Sequence, residues 1–164
     1  MQKKITLLGF CLAAAMLLSY IESLIPPFFS FPGIKIGLAN IAVIFALWRL
    51  GIKEAVLVSF ARIILCGLLF GNFISFVYSF FGAFLSLLVM VLLKRANAFS
   101  IVGISVAGGV VHNMGQIIAA TIILGSNTIL AYMPVLIISG LITGALIGIV
   151  SALIIKKFNA LKLI

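Results

Sequence analysis

The chain is a succession of long apolar runs separated by short polar gaps, with no sustained alternation of apolar and polar positions. Runs of this kind predict helices, because a helix satisfies its own backbone where no water can reach it. Crossing about 30 Å of hydrocarbon takes roughly 20 helical residues. On that measure six spans are predicted, at roughly 5–25, 34–50, 55–71, 73–93, 100–124 and 129–155. The second is the shortest, starting just after Pro32-Gly33 and stopping at Trp48-Arg49. The expected fold class is all-α: a polytopic membrane bundle of six transmembrane helices. No linker, low-complexity segment or internal repeat divides the chain, so 1–164 reads as a single integral membrane domain.

Charge orients the bundle. Lys3 and Lys4 precede span one, Arg49 and Lys53 follow span two, and Lys94 and Arg95 follow span four. Lys156, Lys157 and Lys162 follow span six, whereas the alternate gaps hold only Lys35. By the positive-inside rule the basic gaps and both termini are expected in the cytoplasm. Composition agrees: hydrophobic residues make up 65%, charged residues 8%, and aspartate is absent. The net charge of +9 is thereby accounted for by topology, and nucleic acid is not expected as a partner. Met1 to Lys4 followed by an apolar run also fits a signal peptide. A first span is the better reading, because the run is long, carries Glu22 at its far end and leads into further apolar segments. Cys11 and Cys66 fall at different depths of separate spans and are expected to be buried free thiols.

Polar groups at membrane depth need an explanation, because an unpaired charge near the bilayer centre is costly. Glu22, Lys35, Arg62 and His112 are the titratable groups away from the basic gaps. At about 1.5 Å per residue, Arg62 comes near mid-depth and His112 somewhat beyond it. Glu22 and Lys35 lie toward the outer face, so all four can converge in the outer half of the bundle. Ser105, Gly109, His112 and Gln116 share one helical face of span five, with Asn113 beside it. Span four carries Ser75, Ser79, Gly82 and Ser86 below Asn72, span three carries Ser59, Arg62 and Cys66, and Asn40 lies in span two. A water-accessible cavity opening outward is expected, with substrate-binding residues Glu22, Lys35, Asn40, Arg62, Asn72, His112, Asn113 and Gln116. Two alternatives stand beside this. Ser, Asn and Gly stripes also serve ordinary helix packing, and Arg62 can be neutralised by Glu22 alone. Glu22 and Lys35 are also shallow enough to snorkel to the interface.

The candidate cations outnumber Glu22, and a helix starting after Pro32-Gly33 would aim its N–H groups at the cavity. An anionic or partly anionic small molecule is the expected guest, and Phe28, Phe29 and Phe31 suit an apolar body. Gly140, Gly144 and Gly148 form two overlapping G-x-x-x-G units, expected chiefly to contact another helix of this chain. Gly9, Ala13, Ala14 and Ala15 give span one a small-residue face suited to a partner subunit.

The chain has no G-x-x-x-x-G-K-[ST] loop, so hydrolysis of ATP by P-loop chemistry is excluded. One histidine and two distant cysteines make no metal site. Magnesium-dependent diphosphate chemistry takes several carboxylates, and this chain has only Glu22 and Glu54, expected on opposite sides of the membrane. No catalytic residue, metal or cofactor is expected.

Three segments carry a resemblance: Ile21-Glu22-Ser23-Leu24-Ile25-Pro26, the run from Pro32-Gly33-Ile34-Lys35 to Asn40-Ile41, and His112-Asn113-Met114-Gly115-Gln116. With Tyr132-Met133-Pro134 and the glycines of span six, they resemble the bacterial Gx transporter family, whose members are widely labelled heptaprenyl diphosphate synthase component I. That family in turn resembles the substrate-binding (S) components of energy-coupling factor (ECF) importers. These are six-helix proteins with both termini inside and an outward-facing pocket. The resemblance implies a location in the bacterial cytoplasmic membrane. It also implies docking through span one onto a transmembrane coupling subunit driven by two cytoplasmic ATPases. The usual docking pattern is Ala-x-x-x-Ala; this chain has Gly9-x-x-x-Ala13 and Ala15-x-x-x-Ser19. The function expected is capture of a small anionic metabolite, with the loop from Pro26 to Pro32 as a lid. Two further readings are a noncatalytic membrane subunit supporting polyprenyl diphosphate or quinone synthesis, and a plain assembly subunit.

Overall fold

The computed structural model describes residues 2–24, 36–69 and 73–161, with the side chain of Ser75 excepted. Among them, six α-helices follow in order: α1 (Gln2–Leu24), α2 (Asn40–Arg49), α3 (Ile52–Leu69), α4 (Phe73–Ala96), α5 (Ile101–Leu124) and α6 (Met133–Ala160). A short 3-10 helix, Asn127–Tyr132, leads into α6. The ends obey local chemistry. The Ser100 hydroxyl accepts the Gly103 N–H at 3.1 Å to cap α5, and Gly125 ends that helix in the left-handed conformation. Pro134 stands in the first turn of α6, where its missing N–H leaves no bond unmade.

Four stretches are long and apolar enough to cross a membrane: α1, Phe76–Ala96, α5 and Asn127–Ala160. The surfaces of these helices are apolar. Phe10, Leu68, Phe73 and Ile122 are each more than two-thirds exposed, and large aliphatic side chains stand out from every long helix. Such a belt is an aggregation liability in water and an ordinary surface in lipid. The chain is an all-helical membrane protein.

The second predicted span requires correction. It was expected over 34–50, but α2 has only ten residues, about 15 Å of helix. Residues 36–39 form a turn in which Gly37 has φ +79°, a left-handed conformation that no α-helix tolerates. The Pro32-Gly33 helix start falls outside the described residues. What remains of α2 is the hub of the bundle. Ala42 to Leu47 are all buried, and α1, α3 and α6 pack around them. α3 contains Lys53, Glu54 and Arg62, which keep it off the apolar set. The other helix ends differ from expectation by a few residues.

Elsewhere the packing is set by small residues. A Cβ added at Gly144 would lie 2.8 Å from Val106 Cα, and one at Gly140 would lie 2.9 Å from Val110 Cα. The G-x-x-x-G face of α6 thus meets α5 of the same chain. Ser105 reinforces this seam by donating its hydroxyl to the Gly144 carbonyl at 2.7 Å. On the other side of α5, Gly82 of α4 lies against His112 and Gln116, and Gly108 lies against Met90.

One end of the bundle collects basic groups. Lys4 pairs with Glu54 at 2.5 Å, joining the starts of α1 and α3. Lys94 donates to the Leu47 carbonyl at 2.5 Å and lies over the Trp48 ring, capping the C-terminus of α2. Arg49 lies over the ring of Phe158 near the end of α6. The helix ends that the charge pattern groups together are thus in contact with one another.

Candidate functional site

The polar side chains inside the bundle converge. A cavity of about 50 Å³ is lined by Glu22 from α1, Gly37 and Asn40 from the turn and first residue of α2, and Arg62 from α3. Ser79 and Ser86 from α4, Ser105, His112 and Asn113 from α5, and Thr143 from α6 complete its polar wall. Ile44, Met90 and Ile147 supply an apolar floor. That volume holds a few water molecules, whereas small-molecule pockets run to several hundred Å³. At this volume a small metabolite fits only if the walls separate.

Why the walls meet here follows from α2. The helix begins at Asn40, about 15 Å from its end at Arg49, so Asn40 and the turn at Gly37 just before it stand at the cavity wall. Glu22 closes one side by accepting the Gly37 N–H on Oε1 at 2.6 Å. Arg62 reaches in from the eleventh position of α3, and its Nη1 donates to the Ser19 hydroxyl at 3.3 Å. No ion pair joins Glu22 to Arg62. The Arg62 Nε is buried and has no hydrogen-bond partner among the described residues.

Five of the sequence-derived candidates therefore face one cavity: Glu22, Asn40, Arg62, His112 and Asn113. Lys35, Asn72 and the proposed lid from Pro26 to Pro32 lie outside the described residues. Gln116 is buried one turn beyond the cavity, against Gly82, and its Oε1 has no partner among the described residues. Asn113 has a structural commitment, its Nδ2 donating to the Leu136 carbonyl at 2.8 Å. Cys66 is only half-buried and does not line the cavity, unlike the buried thiol expected. Among the described residues no three of His, Cys and Glu come together as a potential metal-ligand set.

Sequence reading missed Gly37 and Thr143 as walls of the cavity. Thr143 has a visible signal, a hydroxyl beside the small-residue face of span six; Gly37 has none without the turn. On α1, Ala15 is fully buried within the chain, Ala14 is partly covered, and Gly9 and Ala13 are exposed. An added Cβ at Gly9 meets nothing within 4 Å.

A helical bundle with an apolar surface, a short central helix and a polar-lined cavity defines a small helical membrane protein with a candidate internal site. The chain belongs to the heptaprenyl diphosphate synthase component I family, whose model matches residues 11–154. No curated protein and no solved structure matches it.

Proposed function

We propose that this chain is a membrane-embedded receptor for a small metabolite, acting as the substrate-binding component of an importer of the energy-coupling factor type. One observation carries the reading. Arg62, Glu22, Asn40 and His112, from four different helices, surround one cavity while Lys4, Arg49 and Lys94 lie at contacts between helix ends on the basic side. Arg62 has one hydrogen bond, to the Ser19 hydroxyl, and its buried Nε faces no acceptor among the described residues, which supports a further partner supplied by a guest. Arg62 meets negative charge on the guest, and His112 and Asn40 orient it.

In this reading the chain spans the bacterial cytoplasmic membrane six times, with both termini and the basic end in the cytoplasm. The half-length α2, preceded by the turn at Gly37, is a discontinuous span of the kind that transport proteins place at binding sites. The chain is not an enzyme, and energy for release comes from a transmembrane coupling subunit and cytoplasmic ATPases. The exposed Gly9–Ala13 stretch of α1 is the docking face.

Native mass spectrometry of protein purified gently from its host tests this. A retained small molecule and a coupling subunit with ATPases are expected. Arg62→Ala and His112→Ala should each lose the small molecule from a folded protein, and retention by both would sink the site assignment. The family description favours a second reading, a noncatalytic membrane subunit supporting polyprenyl diphosphate synthesis. It predicts a soluble prenyltransferase in the same preparation and no retained metabolite.

A further inference from the structure

The cavity wall carries two opposite charges, Glu22 and Arg62, that make no direct ion pair with each other. Glu22 gives one carboxylate oxygen to the Gly37 N–H and forms no ion pair with Arg62. The Arg62 guanidinium donates one hydrogen bond, to the Ser19 hydroxyl, and its Nε is buried without an acceptor among the described residues. At membrane depth each charge gains from a complementary group. A guest that satisfies Arg62 alone leaves the carboxylate facing the guest's own negative charge.

We infer that the guest is amphoteric: a small molecule with one anionic group for Arg62 and a cationic or N–H donor group for Glu22, on an apolar body seated against Ile44, Met90 and Ile147. An α-amino acid has this chemistry. A diphosphate fits less well, because its two or more negative charges would meet one guanidinium and His112 with a carboxylate beside them, and the described residues gather no ligand set for a bridging metal ion. The inference rests on the receptor reading and narrows the anionic guest expected from sequence.

Four probes sharing one branched five-carbon skeleton isolate the charge pattern: leucine, isocaproate, isopentylamine and isopentenyl diphosphate. Binding is measured to the full chain in lipid nanodiscs, by calorimetry and by shift in thermal unfolding. Leucine should bind at least about tenfold more tightly than any of the other three. Glu22→Gln preserves an acceptor for the Gly37 N–H and hence the fold. It should bring leucine and isocaproate to within roughly twofold of each other. Isopentenyl diphosphate binding as tightly as leucine, or an unchanged leucine preference in Glu22→Gln, overturns the inference and leaves a receptor in place. Absence of binding by all four at millimolar concentration also overturns the inference, while the receptor reading stands or falls on the retained small molecule in native mass spectrometry.

Discussion

Gly37 donates its backbone N–H to Oε1 of Glu22 across 2.6 Å, and this bond ties the end of α1 to the lead-in of α2. It fixes the turn that stops α2 at Asn40 and so creates the space the cavity occupies. Gly37 has φ +79°, and a Cβ there would also lie 3.3 Å from the Asn40 amide nitrogen. Gly37→Ala should lower stability by about 1–2 kcal/mol through the left-handed backbone alone. Glu22→Ala should cost a similar amount by stranding the N–H, and Glu22→Gln much less. Thermal unfolding in one detergent ranks the three. Equal losses for Ala and Gln at position 22 would remove the hydrogen bond from the explanation.

Asn113 and His112 are neighbours on α5 that line the same cavity, yet the structure gives them different work. The Asn113 amide is tied to the Leu136 carbonyl at 2.8 Å, a bond between α5 and α6. Such interhelical bonds are worth roughly 1 kcal/mol in membranes. Asn113→Ala should therefore lower the unfolding temperature, and guest affinity should fall less than in His112→Ala. His112→Ala should weaken binding with the smaller change in stability. The reverse ordering, read by paired unfolding and binding measurements, would exchange the two roles.

What could be read from the sequence was whatever depends on composition along one helix. The long spans, the basic end and the stripe from Ser105 to His112 all follow from local order, and the structure places them together. The break in the second span was not legible in the same way. Residues 34–50 are continuously apolar apart from Lys35, Asn40 and Arg49, and Gly37 alone does not declare a turn. It becomes one because Glu22, fifteen residues earlier, supplies an acceptor for its N–H. Asn113 shows a related limit: helical spacing puts it at the cavity, but that spacing does not show that its amide donates to a carbonyl on α6. Tertiary partners decide what a polar side chain does, and spacing decides only where it points.

The two small-residue surfaces invite opposite expectations. At Gly144 an added Cβ would press on the Val106 backbone at 2.8 Å, where no flexible side chain can yield. Gly144→Ala should force α5 and α6 apart, at a cost of roughly 1–3 kcal/mol. Gly9 faces open space, so Gly9→Leu should leave unfolding unchanged. In the importer reading the same substitution should block recovery of a coupling subunit on affinity purification. A Gly9→Leu protein that still recovers it would move the docking face off α1.

Lys4 and Glu54 join the first and third helices at the basic end, and their contact makes stability depend on pH in a definite direction. The hydrogen bond from Lys4 holds the Glu54 carboxyl below the usual carboxylate range. A carboxylate whose pKa is depressed by folding stabilises the folded state above its unfolded pKa, and that contribution is lost as pH falls through the folded value. At neutral pH, Glu54→Gln should unfold at a slightly lower temperature than the parent. The two should converge on acidification, once Glu54 is protonated in both folded and unfolded states. The difference should be small and should shrink in high salt, because Lys4 is more than half exposed and the pair is screened. Unfolding curves of the two proteins from neutral pH into the acid range, in low and high salt, measure this directly. A gap that persists at acid pH would assign the Glu54 effect to packing at the start of α3 instead of to its charge.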